Sequence, residues 1–121
     1  IPSPDCNATA CKQHNAFDPS KSKNFKLTKT PFKIQYGSGN VSGLIAKDDL
    51  SIAGIKSTGQ IFGLTLNESK EFENVPYDGL MGMALDQLST QNATTPFSNM
   101  VKQKSVKNPF FWLPSSTFAG S

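Results

Sequence analysis

Phe32-Lys33-Ile34-Gln35-Tyr36-Gly37-Ser38-Gly39-Asn40-Val41-Ser42-Gly43 decides how this chain is read. Phe32, Ile34 and Tyr36 alternate with Lys33 and Gln35, and a two-residue period marks a strand with one apolar face. Gly37, Ser38 and Gly39 then predict a tight turn, because glycine reaches positive φ without steric cost. A second apolar run follows, from Val41 through Leu44, Ile45 and Ala46. Strand, turn and strand make a β-hairpin with an aromatic hydroxyl at the shoulder of its tip. Two readings of these residues stand side by side: an ordinary connecting hairpin, or a low-bulk lid that moves over an extended ligand.

Outward from the hairpin, further strands are expected. Asp48 to Ile52 continues or follows the second strand, and Ala53-Gly54 turns the chain. Another strand lies within Ile55 to Leu64, clearest at Gln60-Ile61-Phe62-Gly63-Leu64. Asn67 to Asn74 reads as an acidic loop. The glycine-spaced apolar segment Pro76 to Ala84 predicts close backbone approach. One helix is well signalled: Thr95 caps it, Pro96 takes the first helical position, and Phe97, Met100 and Val101 share a face. Phe110-Phe111-Trp112-Leu113 is strand-like and stops at Pro114. On the N-terminal side, Phe17-Asp18-Pro19-Ser20 carries turn chemistry. The expected class is all-β with one or two short helices.

The whole chain sets bounds on these pieces. At 121 residues it is one domain at most, and 36% hydrophobic with 17% charged residues is a globular balance. No apolar run approaches membrane-span length. The chain begins at Ile1 without a signal-peptide pattern, so a processed product or a fragment is expected. The net charge of +3 comes from lysines, with no arginine. Arginine forks and interleaved aromatics, the usual marks of a nucleic-acid surface, are missing, and the lysines read as solvated faces.

Cys6 and Cys11 with the lone His14 do not suffice for a closed four-ligand zinc site. Their spacing permits a small disulfide loop, which needs an oxidising compartment. Four sequons point the same way, at Asn7, Asn40, Asn67 and Asn92. A secreted or vacuolar/lysosomal location is expected.

Tests for chemistry mostly exclude. Gly37, Gly39 and Gly43 nearly spell a nucleotide loop, but the last spacing is too long and no helix follows. No serine sits in a nucleophile elbow that His14 would serve. Asp48 and Asp49 are adjacent on a strand and point to opposite faces. Asp78 reads as a turn carboxylate. No cofactor is implied.

In order and spacing, these pieces resemble the pepsin-like aspartic endopeptidases, peptidase family A1. The resemblance is carried by the Cys6-to-Cys11 loop, His14, Phe17 to Ser22, Ile34 to Gly39, Val41-Ser42-Gly43, Ile52 to Ile55, Ile61 to Leu64, Tyr77 to Ala84 and the Pro96-Phe97 helix. It runs from Ile1 to about Leu113, with Pro114 to Ser121 as a divergent tail.

The resemblance implies a bilobal protease in which each lobe gives one aspartate. The pair shares a proton and activates water, since two like charges so close cannot both ionise. It makes the hairpin the flap over a peptide substrate. Tyr36, Gly37 and Ser38 would contact that peptide, and Phe72, Tyr77 and Leu80 would line the pocket beneath. It also implies a disulfide between Cys6 and Cys11, and the rest of the bilobal protease as a partner.

Asp-Thr-Gly, the family's catalytic motif, does not occur in these residues; in the family it ends just before the match to Ile1-Pro2-Ser3. The expectation is a partial N-terminal lobe, inactive alone. A non-catalytic truncated relative that binds peptides or proteins is the alternative. A glycan at Asn40 would sit by the flap tip and hinder closure, so this sequon is expected to be rarely occupied in an active parent enzyme.

Overall fold

In the computed structural model of the chain, residues 1–89 and 92–112 are described. Three long strands form one antiparallel meander: β1 (Lys26–Tyr36), β2 (Gly39–Ile52) and β3 (Ile55–Glu68), in the order β1-β2-β3. Two short helices flank it, α1 (Thr9–Lys12) and α2 (Pro96–Lys102). Short 3-10 turns occur at Pro19–Lys21, Lys70–Phe72 and Asp86–Leu88.

The β1–β2 hairpin closes through the two-residue tip Gly37-Ser38, with Tyr36 opposite Gly39 and Ile34 opposite Val41. The tip does not use the expected positive φ. Among the described residues, the glycines with positive φ are Gly54 (80°) and Gly59 (64°). Gly39 is needed for space instead: a Cβ there would lie 2.8 Å from Phe72 Cε2 and 2.8 Å from Ser69 Oγ. The β2–β3 turn falls at Ala53-Gly54, as expected, with Ile52 opposite Ile55 and both turn residues at positive φ.

Both strand pairs carry register shifts. In β1 the shift lies between Leu27 and Pro31. Proline has no N–H for the ladder, so it belongs at such an irregularity on an edge strand. The Thr28 hydroxyl supplies a donor there, to the Ile45 carbonyl at 2.6 Å.

Ile1 to Ser3 lie parallel to β3. The Ile1 nitrogen donates to Gly63 O, Thr65 N to Ile1 O, and Ser3 N to Thr65 O. The Cys6–Cys11 disulfide closes a small loop around α1, whose Ala10 is buried in the core. The core cluster is Ala10, Phe32, Val41 and Phe72, with Ile34, Tyr36 and Ile45 against it. Gly63 leaves room for the Phe32 ring, whose Cζ would lie 2.6 Å from any Cβ. Phe17 stacks between Phe25 and Phe62, at centroid distances of 5.1 and 5.5 Å.

Helix α2 starts as its sequence indicates. Thr95 Oγ1 accepts from Ser98 N, and Met100 is the buried anchor. A polar cluster fixes the helix to β3. The Asn99 amide donates to Ser57 Oγ at 2.7 Å and to Gln60 Oε1 at 3.3 Å, and Gln103 Nε2 donates to Thr58 O at 2.7 Å.

Two further expectations are corrected. Phe110 to Trp112 form no strand: they are exposed, and Phe111 turns its ring edge-on to Phe97 at 4.9 Å. An apolar run makes a strand only where a sheet edge accepts its backbone, and α2 offers a side-chain contact instead. Pro76 to Ala84 runs as a largely exposed loop. Of its glycines, Gly79 would place a Cβ 3.2 Å from Ile1 Cγ1, while nothing lies within 4 Å of a Cβ on Gly82. Leu113 and the Pro114 to Ser121 tail lie outside the described residues.

Candidate functional site

The alternation that builds β1 sets Phe32, Ile34 and Tyr36 on one face, and pairing adds Val41 to the same face. The chain leaving β3 then turns through Lys70–Phe72 and brings Phe72 under the hairpin. Tyr36 and Phe72 meet edge-on, with centroids 5.9 Å apart and planes at 78°. Such an arrangement aims the positive ring edge at the negative face of its neighbour. Burial pushes the Tyr36 phenol up, so its hydroxyl remains a donor through the neutral and acid range.

A cavity of about 120 Å³ opens beside this pair. Tyr36, Phe72, Tyr77 and Leu80 all line it, so four of the six peptide-contact candidates from the sequence converge on one space. Gly37 and Ser38 do not line it; they form the exposed tip above. A broader groove of about 710 Å³ continues from Tyr36, Ile34 and Leu80 along the sheet toward Phe62 and Pro96.

Phe32, Ile34 and Val41 also line the smaller cavity and were not singled out by the sequence reading. The two-residue period offered the signal, since Phe32 and Ile34 share the parity of Tyr36. His14 and Glu68 line it too, and no local pattern joins them. His14 Nε2 lies 3.1 Å from the Val75 carbonyl, which only accepts, so Nε2 carries the proton. Its Nδ1 stands 3.9 Å from Glu68 Oε2, and both side chains are buried. His14 thereby bonds to the stem of the loop that carries Tyr77 and Leu80 and lies beside the end of β3.

Three aspartates accept hydrogen bonds from neighbouring loops and strands. Asp78 accepts from the side chain and the backbone N–H of Asn15, each at 3.0 Å. These two bonds, with His14 nearby, hold its carboxyl below the usual range. Asp48 accepts from Ser22 Oγ at 2.7 Å, and Asp49 from Gly59 N at 2.9 Å. Among the described residues, no three His, Cys, Asp or Glu side chains group as a metal site. No helix among them is long and apolar enough to cross a membrane.

Cys6 and Cys11 are bonded, with Cα atoms 6.0 Å apart. Of the sequon asparagines, Asn7, Asn67 and Asn92 are exposed and Asn40 is half-buried. Asn40 alternates with Val41 on β2, so it faces away from Tyr36 and the cavity.

The family model for eukaryotic aspartyl proteases matches residues 1–118. Pepsin A of Suncus murinus is 38% identical, across all of this chain and 32% of that protein. Pregnancy-associated glycoprotein 2 of Sus scrofa is 37% identical, across all of this chain and 30% of its own length. Vacuolar protease A of Neurospora crassa is 37% identical across 92% of this chain and 28% of its own. The chain belongs to the eukaryotic aspartyl protease family. It spans about a third of the length of the curated relatives it matches, and its antiparallel sheet with short helices is consistent with the N-terminal lobe of the pepsin-like fold.

Proposed function

We propose that this chain supplies the flap and one wall of the substrate pocket in an aspartic endopeptidase. The observation that carries the reading is Tyr36 resting on Phe72 above a cavity that Tyr77 and Leu80 also line. An extended peptide lies under the hairpin and bonds to the backbone of Gly37 and Ser38. Tyr36 covers the peptide, and an apolar side chain next to the cleaved bond enters the cavity. Substrates with hydrophobic residues at the cleavage site fit best.

Both catalytic aspartates come from chain outside these residues, because Asp-Thr-Gly does not occur here. One of the pair activates water for attack on the peptide carbonyl while the other carries the shared proton, which calls for an acidic optimum. Asp18, Asp48, Asp49, Asp78 and Asp86 are each held by local hydrogen bonds, and the chain alone does not hydrolyse peptides. The remainder of the bilobal protease is its partner, and the exposed Leu80, Leu85 and Leu88 support a covering surface from it. The disulfide and the exposed sequons support a secreted or vacuolar/lysosomal route.

Sequencing the transcript upstream of Ile1 tests this. Asp-Thr-Gly is expected within about ten residues of Ile1, as the family spacing has it. A complete reading frame without that motif would leave the peptide-binding, non-catalytic alternative in its place.

A further inference from the structure

Two sequons face one another across the β2–β3 ladder. Ser42 pairs with Asn67 and Val41 with Glu68, so Asn40-Val41-Ser42 runs antiparallel to Asn67-Glu68-Ser69. Each holds the backbone of the other: Ser69 N donates to Asn40 O at 3.1 Å, and Asn40 N donates to Ser69 Oγ at 3.0 Å. The second bond uses the very hydroxyl that completes the Asn67 sequon. A transferase needs the Asn and the hydroxyl of an unpaired tripeptide, so neither sequon is an acceptor once these strands join.

The two asparagines differ in how far along the chain their strand partners lie. Asn40 stands just past Gly39, which follows the two-residue tip, and pairs with Gln35. That contact joins residues 5 apart in the chain, against 25 for Ser42 and Asn67, so it closes at the lower entropic cost and on the microsecond scale of hairpin formation. Gln35 then staples the tip, its Nε2 donating to Tyr36 O and Gly39 O. Asn67 lies near the far end of the β2–β3 hairpin, whose turn is at Ala53-Gly54, one pair short of Val41–Glu68. In the folded chain Asn67 is exposed on an edge strand, whereas Asn40 is half-buried in the central one.

We propose that Asn67 carries the N-glycan of this hairpin, added before β3 pairs, and that Asn40 stays bare. The Asn67 amide nitrogen forms the glycosidic bond to the anomeric carbon of a lipid-diphosphate-linked oligosaccharide. The lipid diphosphate leaves with the bonding electrons, and the amide gives up one proton. Asn67 shares the face of Ser42, opposite to Val41 and the cavity, so the sugar stands clear of the peptide groove. The inference rests on the secretory route proposed above.

The test is glycopeptide mapping of the full-length protein that contains this chain, secreted from a eukaryotic host, with glycosidase-treated controls. Asn67 is expected occupied and Asn40 unmodified. An Asn67→Gln variant loses one glycan's mass, and Asn40→Gln loses none. Asn67 unmodified, or Asn40 occupied in any sizeable fraction, overturns the proposal. The same map reads the Cys6–Cys11 linkage. A closed disulfide beside an unmodified Asn67 ends the glycan assignment alone, whereas free thiols beside it end the route as well.

Discussion

The ring edge of one of Tyr36 and Phe72 meets the face of the other, at 5.9 Å and 78°, across a gap of 35 residues filled by two strands and two turns. Phe72 belongs to the small core cluster, so it serves packing and the cavity at once. Phe72→Ala should cost about 3 kcal/mol by urea unfolding, from lost burial and the void left behind. Phe72→Leu should recover more than half of it. Equal losses for both would show that the ring contact and not the volume decides.

Gly37 and Gly39 flank Ser38 at the hairpin tip yet should respond oppositely to a methyl group. Nothing lies within 4 Å of a Cβ on Gly37, whereas one on Gly39 would crowd Phe72 and Ser69. Gly37→Ala should leave the unfolding midpoint nearly unchanged. Gly39→Ala should lower stability by about 1 to 3 kcal/mol, the usual cost of overpacking. Parity between the two variants would remove the steric account of Gly39.

Ser57 is fully buried, and its hydroxyl both donates to Gln60 Oε1 and accepts from Asn99. Asn99→Ala removes that donor and the contact to Gln60 Oε1 together. A loss of about 1 to 3 kcal/mol is expected, with faster hydrogen exchange at α2 than elsewhere. Uniform exchange along the chain would mean that the cluster does not anchor the helix.

Asp86 accepts from Thr95 N at 2.9 Å and from Lys102 Nζ at 3.0 Å. These bonds, the backbone one first, hold its carboxyl at about 2 against an ordinary 3.8. A carboxyl depressed by folding stabilises above its unfolded value, and that stability drains as pH falls through its folded one. The bond network around α2 should therefore persist until the pH nears 2. Asp86→Asn should flatten the acid limb of a stability–pH curve below about pH 4, and an unchanged limb would assign it to other groups.

The parts of the fold that local chemistry dictates were legible in the sequence. The Tyr36 hairpin, the Ala53-Gly54 turn and the Thr95 cap each rest on residues within a few positions of one another. What escaped depends on distant partners. Gly39 reads as a turn glycine until Phe72 is placed beside it. Phe110 to Trp112 has the composition of a strand but no edge to join. The candidate site divides in the same way. Period-two alternation placed Tyr36, whereas Tyr77, Leu80 and the His14–Glu68 pair reach the cavity through tertiary packing that no local spacing encodes.

The most direct measurement is steady-state kinetics of the complete protease that contains this chain, on peptides with Phe or Leu beside the cleaved bond. Tyr36→Ala should lower kcat/KM by roughly tenfold or more, about 1.4 kcal/mol per factor of ten, and should do so much less for peptides with Gly there. An unchanged kcat/KM with a folded variant, or an equal loss for every peptide, would contradict a flap that closes over an apolar side chain.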